Sequence, residues 1–292
     1  MQLYSECMHC IVDHHWELVK DQPDEARRAA FMREVCRAVA EADPAQAAPV
    51  PTARLQKLYA SMFTADNDYP RLKRKYNEML LAWLPRLRAA VEAAKDPLQL
   101  AVWMAMVGNY IDFGVMRQID DARLQALLET PEAGAVNADE LERLRGEVRA
   151  ARRLTYVCDN CGEIVLDMLL MEQLRRLQPE IEITALVRGE NVLNDATVED
   201  ARAVGMDALA ALVGNGTNIG GTQFETLSEA ARAALLGADV IVSKGLGNFE
   251  TLTGIALNIY YLFLAKCPFY EKWFGMRHMS GQLVNERRFA RP

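Results

Sequence analysis

Four apolar runs in the second half of the sequence each end in polar residues of the kinds that hold metal ions and phosphates. The first run, LTYVC, ends at Asp159 and Asn160, and the second, ITALVRGENVL, ends at Asn194 and Asp195. A glycine-rich loop and a lysine-containing segment follow the other two runs. These two groups are GNGTNIGGT, residues 214–222, and the set Lys244, Gly245, Gly247, Asn248 and Glu250.

The four groups together suit a divalent cation that bridges protein and phosphate. Carboxylate oxygens from Asp159 and Asp195 and an amide oxygen from Asn160 are ligands that hard cations such as Mg²⁺ and Mn²⁺ prefer. Lys244 and the backbone N–H groups of the glycine-rich loop suit phosphate oxygens. A helix that begins near 161–162 would direct the positive end of its dipole to the same place. The sequence therefore predicts a metal and phosphate site.

Each group also has a purely structural interpretation. Asn160 followed by Glu163 is close to the capping box that begins a helix. Thr197 followed by Asp200 is a second such pattern, which would leave the preceding aspartate as a turn residue. The lysine could be a solvated side chain at a strand end. The loop GNGTNIGG fits neither the P-loop nor the dinucleotide fingerprint. Only the convergence of all four groups on one edge favours the site.

The elements that must position these groups begin with a helical half. Residues 23–43 and 52–65 have helical composition, and 71–95 is expected to form a helix that is interrupted or kinked near Pro85. The segment 129–136 is the clearest internal loop.

From Leu154 onward, short β-rich runs alternate with helical segments, and NIYYLFLA is the last strand candidate. Such alternation predicts an α/β fold with a mostly parallel sheet and helices on both faces. We expect a helical N-terminal region, 1–152, packed on a C-terminal three-layer α/β/α domain, 153–292. Ligands of open α/β sheets bind beyond the carboxyl ends of the strands, where the polar groups fall.

Bulk composition narrows the class of protein. The 292 residues carry 33 basic and 40 acidic side chains, and the net charge of −7 argues against nucleic acid as the main partner. No apolar run reaches the roughly 20 residues of a membrane span. The N-terminus lacks a signal-peptide pattern, so we expect a cytoplasmic protein with free thiols and no membrane partner. The oligomeric state is not readable from the sequence.

Three motifs resemble those of the damage-control phosphatase family, formerly domain-of-unknown-function family 89, which includes the acidic-residue methyltransferase-1-like proteins. They are D-N-x-G-E at 159–163, N-D-x-T at 194–197 and, most specifically, K-G-x-G-N-F-E at 244–250. Further segments resemble the prokaryotic branch of the family. These are G-N-Y-I-D-F-G at 108–114, the C-x-x-C of Cys7 and Cys10, and A-K-C-P at 265–268.

The resemblance implies metal-dependent hydrolysis of small phosphomonoesters, with damaged or side-product sugar phosphates as the substrate class. The cation would be Mn²⁺, Mg²⁺, Co²⁺ or Ni²⁺, since oxygen ligands accept all four. The implied metal ligands are Asp159, Asn160 and Asp195. The implied substrate contacts are Asn109, Asp112, Lys244, Asn248 and Glu250.

The resemblance also implies roles in the reaction. The metal would activate a water, Lys244 would share charge on the phosphoryl oxygens, and Asp159 would serve as the base. Direct attack by Asp159 is the alternative, although the D-x-D of aspartyl-phosphate phosphatases is missing at this position. Cys161 departs from the small residue expected at its position. A non-catalytic binding protein and, less favoured, a protein-carboxylate methyltransferase are the rival functions.

The N-terminal cysteines allow three interpretations. Cys7 and Cys10, with His14 and His15 close behind, could form half of a zinc site or a second metal site. They could instead form a redox disulfide. They could also be buried as small apolar side chains on a first helix. The sequence leaves the three open.

Overall fold

The computed structural model describes residues 1–63, 68–113, 119–130 and 136–289. Within these ranges, seven helices precede the first strand, which confirms the helical N-terminal half. They are α1 (Ser5–Val19), α2 (Glu25–Ala40), α3 (Pro49–Met62), α4 (Tyr69–Ala93), α5 (Pro97–Gly108), α6 (Asp121–Glu129) and α7 (Ala138–Ala150).

The second half alternates strands and helices, as its composition predicts. The strands are β1 (Arg153–Val157), β2 (Glu182–Val187), β3 (Ala211–Gly214), β4 (Val240–Lys244), β5 (Ile259–Leu264) and β6 (Gly281–Asn285). The helices are α8 (Glu163–Leu177), α9 (Val198–Ala203), α10 (Glu229–Gly237), α11 (Leu246–Leu252) and α12 (Pro268–Phe274).

All six strands form one sheet in the order β3-β2-β1-β4-β5-β6. The first five are parallel and β6 is antiparallel to β5, so the predicted mostly parallel sheet is confirmed. The chain builds outward from β1 to β3 and then returns to place β4 on the other side of β1. The carboxyl ends of β1 and β4 therefore form a topological switch point, where such sheets bind ligands.

Helix α5 carries the helical half to this edge of the sheet. Its N-terminus is capped by Asp96, whose side chain accepts from the Gln99 N–H. The helix is buried along its length and packs mainly on α8 and β5. Burial of side chains such as Trp103 and Met106 stabilises the packing by roughly 1.5–3 kcal/mol each. The close packing at Gly108 fixes the position of Asn109, the residue that ends the helix.

Some sequence predictions need correction. Helix α4 continues through Pro85, so the predicted interruption of this helix is wrong. Buried residues on both sides of the proline, Leu80, Leu84 and Leu87, hold the helix in place. Strand β6 was not predicted. Residues 64–65 of one predicted helix and 131–135 of the predicted loop lie outside the described residues. Nothing tests the boundary between 152 and 153, which stays a prediction.

Candidate metal and phosphate site

Asp159 and Gly245 meet at the switch point. Asp159 follows β1 and is 7% exposed, and its backbone carbonyl accepts from the Ala196 N–H at 2.8 Å. Gly245 follows β4 with a φ of +79°. A Cβ atom on Gly245 would lie 2.0 Å from Asp159 Oδ2. Only glycine combines this backbone conformation with space for the carboxylate.

A buried arginine joins Asp159 to Asp195. Arg188 follows β2 and is 1% exposed. Its Nη2 donates to Asp159 Oδ1 at 2.8 Å, and its Nε donates to Asp195 Oδ2 at 2.5 Å. Two of the three predicted metal ligands are thus brought together by one guanidinium.

Asn160 lies beside the same pair of carboxylates. An isolated antiparallel bridge links its backbone to Asp195. Its Nδ2 donates to Asp159 Oδ2 and to Glu163 Oε2, both at 2.9 Å. From the part of the chain that the structure describes, Asn160 Oδ1 and Asp195 Oδ1 accept no hydrogen bond. Two oxygens from predicted ligands therefore keep lone pairs for another partner.

The capping-box interpretation of Asn160 and Glu163 fails. Helix α8 begins at Glu163 with Gly162 as its N-cap, and the Asn160 side chain accepts from no helix N–H within the described ranges. Only the bond from the Asn160 N–H to Glu163 Oε2, at 3.3 Å, is formed. At the second position both bonds of the Thr197–Asp200 capping box are present. Asp195 lies outside that box.

The helical half contributes Asn109 and Asp112, which meet a lysine from the second half. Asn109 Nδ2 donates to Asp159 Oδ2 at 3.2 Å, so the expected approach from this half is formed. Lys266, which follows β5, donates from Nζ to the Asn109 carbonyl and to Asp112 Oδ2, each at 2.6 Å. Its side chain is 1% exposed. Lys266 therefore lies against two predicted substrate contacts.

Lys244 occupies a different place from the one predicted. Its Nζ donates to Glu163 Oε1 at 2.6 Å, to Asp167 Oδ1 at 2.8 Å and to the Ala105 carbonyl at 2.7 Å. These bonds use all three ammonium hydrogens, and the residue is fully buried. The arrangement leaves Lys244 no hydrogen for a phosphate, because two carboxylates of α8 bind it first. Lys244 is here a buried counter-cation for Glu163 and Asp167.

Of the K-G-x-G-N-F-E motif, Asn248 lies beside the site and Glu250 lies away from it. Asn248 Oδ1 accepts from Arg188 Nη1 at 2.9 Å, and its Nδ2 donates to the Lys244 carbonyl, so Asn248 supports the site from behind. The Glu250 carboxyl is placed beside Tyr270, and burial raises its pKa to about 7. The N-terminal amine of Met1 donates to the Glu250 carbonyl. The structure does not bring Glu250 to the carboxylate pair.

The electrostatics of the carboxylate pair favour an added cation. Burial raises the pKa of Asp159, and Asp195 raises it further. Burial also raises the pKa of Asp195, although Arg188 opposes that effect. No group of three or more His, Cys, Asp or Glu residues in the described ranges is placed to hold a metal ion. A site here would use two carboxylates and the Asn160 amide oxygen, a donor set that suits a hard divalent cation.

The cysteines give no assignment. Cys7 is half-buried and Cys10 is exposed, and both thiols are free. Burial raises the pKa of Cys7 to about 12. Cys161 is buried against the Asp195 backbone, where burial raises its pKa. The metal and redox interpretations of Cys7 and Cys10 stay predictions.

Sequence reasoning missed Arg188 and Lys266. Each is the first basic residue after a strand, β2 and β5 respectively. A similar rule selected Lys244 at the end of β4, so the signal was present. Arg188 lies inside the run ITALVRGENVL, whose polar end was placed at Asn194 and Asp195.

Comparison with known proteins gives consistent results. A family profile described as "Damage-control phosphatase ARMT1-like domain" matches residues 3–279. A damage-control phosphatase of Archaeoglobus fulgidus is 32% identical over 217 residues, covering 73% of this chain and 74% of that protein. A damage-control phosphatase of Pyrococcus horikoshii is 30% identical over 272 residues, covering 92% of both.

A solved structure agrees with the fold. The crystal structure of a DUF89 family protein from Pyrococcus horikoshii matches with a TM-score of 0.79 at 26% sequence identity. The match covers 98% of this chain and 99% of that chain. In the ranges that the structure describes, no helix is both long and apolar enough to cross a membrane.

Proposed function

This chain belongs to the damage-control phosphatase ARMT1-like family, and we propose that it hydrolyses phosphomonoesters of small metabolites with a divalent cation held by Asp159, Asn160 and Asp195. Damaged or side-product sugar phosphates are the proposed substrates, and Mn²⁺, Mg²⁺, Co²⁺ or Ni²⁺ is the proposed cation. The free cysteines support a reducing, cytoplasmic location.

One observation carries the proposal. Asp159 and Asp195 lie in the segments that follow the neighbouring parallel strands β1 and β2, and one guanidinium binds both. The amide oxygen of Asn160, beside them, accepts no hydrogen bond from the described residues. A bound divalent cation would supply Lewis-acid activation of a water and of the phosphoryl oxygens.

Lys266 and Asp159 have separate proposed roles in the reaction. Lys266, held against Asn109 and Asp112, is the lysine placed to share charge with a bound phosphate. Asp159 is the candidate base for the attacking water. Its Oδ1 accepts from Arg188 and its Oδ2 accepts from Asn109 and Asn160. Asp159-Asn160-Cys161 is not the D-x-D of aspartyl-phosphate phosphatases, which supports the water route.

The test is phosphate release by the metal-stripped protein. The protein is incubated with p-nitrophenyl phosphate and a panel of sugar phosphates, with Mg²⁺, Mn²⁺, Co²⁺ or Ni²⁺ restored in turn. Release that depends on the added cation supports the proposal. Tight binding of a phosphorylated ligand without product would instead favour the non-catalytic alternative. Transfer of a methyl group to a protein carboxylate would favour the methyltransferase alternative.

A further inference from the structure

Arg188 lies at the centre of the site, yet the proposed reaction gives it no role. Its side chain is 1% exposed. Nearly all of its hydrogen bonds run to the two carboxylates proposed to hold the cation and to Asn248. A buried arginine among proposed metal ligands is unexpected, because its fixed positive charge repels a cation.

The guanidinium ties two strand ends together. Nη2 reaches Asp159 beyond β1, and Nε reaches Asp195 beyond β2. From the other side, Asn248 Oδ1 fixes Nη1 at 2.9 Å, and Thr222 Oγ1 lies 3.4 Å from the same nitrogen. The donors of a guanidinium form a rigid planar fork. One carboxylate therefore cannot move without disturbing the other.

We propose that Arg188 is a positioning residue and the resident counter-cation of the Asp159–Asp195 pair, a role that rests on the proposed metal-dependent function. Two carboxylates and one guanidinium carry one net negative charge. A divalent cation brings this group to one net positive charge, which attracts a phosphate dianion. Without Arg188 the loaded group would be neutral. The arginine thus weakens cation binding and strengthens phosphate binding.

Removal of Arg188 has two opposite effects on cation binding. The first effect weakens binding, because the guanidinium that aligns the two carboxylates is lost. This effect is small, since Asp159 keeps its hydrogen bonds from Asn109 and Asn160. Asp195 keeps its backbone bridge to Asn160. Removal also deletes a buried positive charge that shares both carboxylates with the cation, and charges in a buried site are poorly screened. The second effect dominates, so cation binding tightens.

The test compares Arg188→Met, Arg188→Lys and a control, Arg176→Met, which removes an arginine from an exposed ion pair with Glu92. Metal-stripped proteins are titrated with Mn²⁺ by calorimetry, and Tm is measured with and without Mn²⁺. We expect Arg188→Met to bind Mn²⁺ at least about tenfold more tightly than wild type, because the competing charge is gone. We expect Arg188→Lys, which keeps the charge, to stay within about threefold of wild type.

Stability and substrate binding give the second readout. The metal-free Tm of Arg188→Met should fall, and Mn²⁺ should raise its Tm by more than it raises that of wild type. Its KM for p-nitrophenyl phosphate should rise by about tenfold or more, since the loaded site loses its net positive charge. Arg176→Met should match wild type throughout.

Weaker Mn²⁺ binding by Arg188→Met would overturn the role of Arg188, as would an equal fall in Tm with and without Mn²⁺. If Arg188→Met folds only with metal present, its affinity is measured by chelator competition, with the same tighter binding expected. A wild-type protein that binds no Mn²⁺, Mg²⁺, Co²⁺ or Ni²⁺ would contradict the proposed function itself. The two failures are therefore distinguishable.

Discussion

The backbone of Gly245 lies so close to Asp159 that a single added Cβ atom would stand 2.0 Å from the carboxylate oxygen Oδ2. The two residues follow the neighbouring parallel strands β1 and β4, on either side of the switch point. The position of the candidate base therefore depends on a glycine that carries no functional group.

Gly245→Ala should displace the Asp159 carboxylate and abolish metal-dependent phosphate release. Its φ of +79° and ψ of 161° lie in a region that is essentially restricted to glycine, so we also expect a loss of stability of about 1–3 kcal/mol. The control is Gly205→Ala, at a φ of +81° with no atom within 4 Å of the added Cβ. Phosphate release is measured per folded molecule. Wild-type activity in Gly245→Ala would contradict the assigned contact.

Lys244→Met should destabilise the protein by about 3–5 kcal/mol, because it leaves Glu163 and Asp167 buried without their cation. Burial already raises the pKa of Asp167 to about 6. Urea unfolding at neutral pH measures the change. Lys75→Met, which breaks an exposed pair with Asp121, should cost no more than about 1 kcal/mol. A Lys244→Met protein with normal stability and a raised KM would instead support the predicted direct contact between Lys244 and the phosphate.

Lys266→Gln should raise KM for phosphomonoesters and lower kcat/KM by about tenfold to a hundredfold, because a phosphate loses a charged donor. Its partner Asp112 is partly exposed, so we expect a smaller loss of stability than for Lys244. Steady-state kinetics with p-nitrophenyl phosphate measure the effect. Lys272→Gln, at an exposed position on α12, is the matched control. Unchanged kinetics in Lys266→Gln would remove Lys266 from the phosphate site.

His15 should make stability depend on pH in a defined window. Burial lowers its pKa from 6.5 to about 4, while its Nδ1 bonds to the Ile11 carbonyl at 2.7 Å. The unfolded state therefore binds the extra proton first as the pH falls. Stability is complete above 6.5 and is lost as the pH falls from 6.5 towards 4.

Between pH 7 and pH 4.5 the wild-type protein should lose about 2 kcal/mol more stability than His15→Phe, as that shift in pKa requires. Urea denaturation of both proteins at several pH values measures the difference. Above pH 6.5 the two curves should run parallel. Parallel curves over the whole range would show that His15 is not buried neutral.

Much of the fold follows from local pattern. The switch from helical composition to alternating runs near residue 153 predicts the helical half and the parallel sheet, and continuous apolar runs such as YLFL mark strands buried on both faces. The antiparallel β6 was not predicted because GQLVN is short and is paired only through contacts with β5. Such tertiary pairing has no local signal.

The candidate site was predictable in part. Asp159, Asn160 and Asp195 follow strand ends, and the rule that ligands lie at the carboxyl edge brings them together. The same rule placed Lys244 at that edge. It could not show that Glu163, the first residue of α8, and Asp167, one turn later, would bind the ammonium group. The partner of a buried charge is decided by packing between distant segments.

The central claim is tested most directly by Asp159→Asn, which keeps the shape of the side chain and removes its charge. Asp239→Asn is the control, since that carboxylate binds the backbone N–H groups of Arg152 and Arg153 at the start of β1, away from the site. Phosphate release from p-nitrophenyl phosphate is measured as Mn²⁺ is restored to metal-stripped protein. We predict that Asp159→Asn falls below about 1% of wild type while Asp239→Asn does not change. Release by Asp159→Asn at the wild-type rate, with the wild-type dependence on Mn²⁺, would contradict the assignment of this carboxylate pair as the metal site.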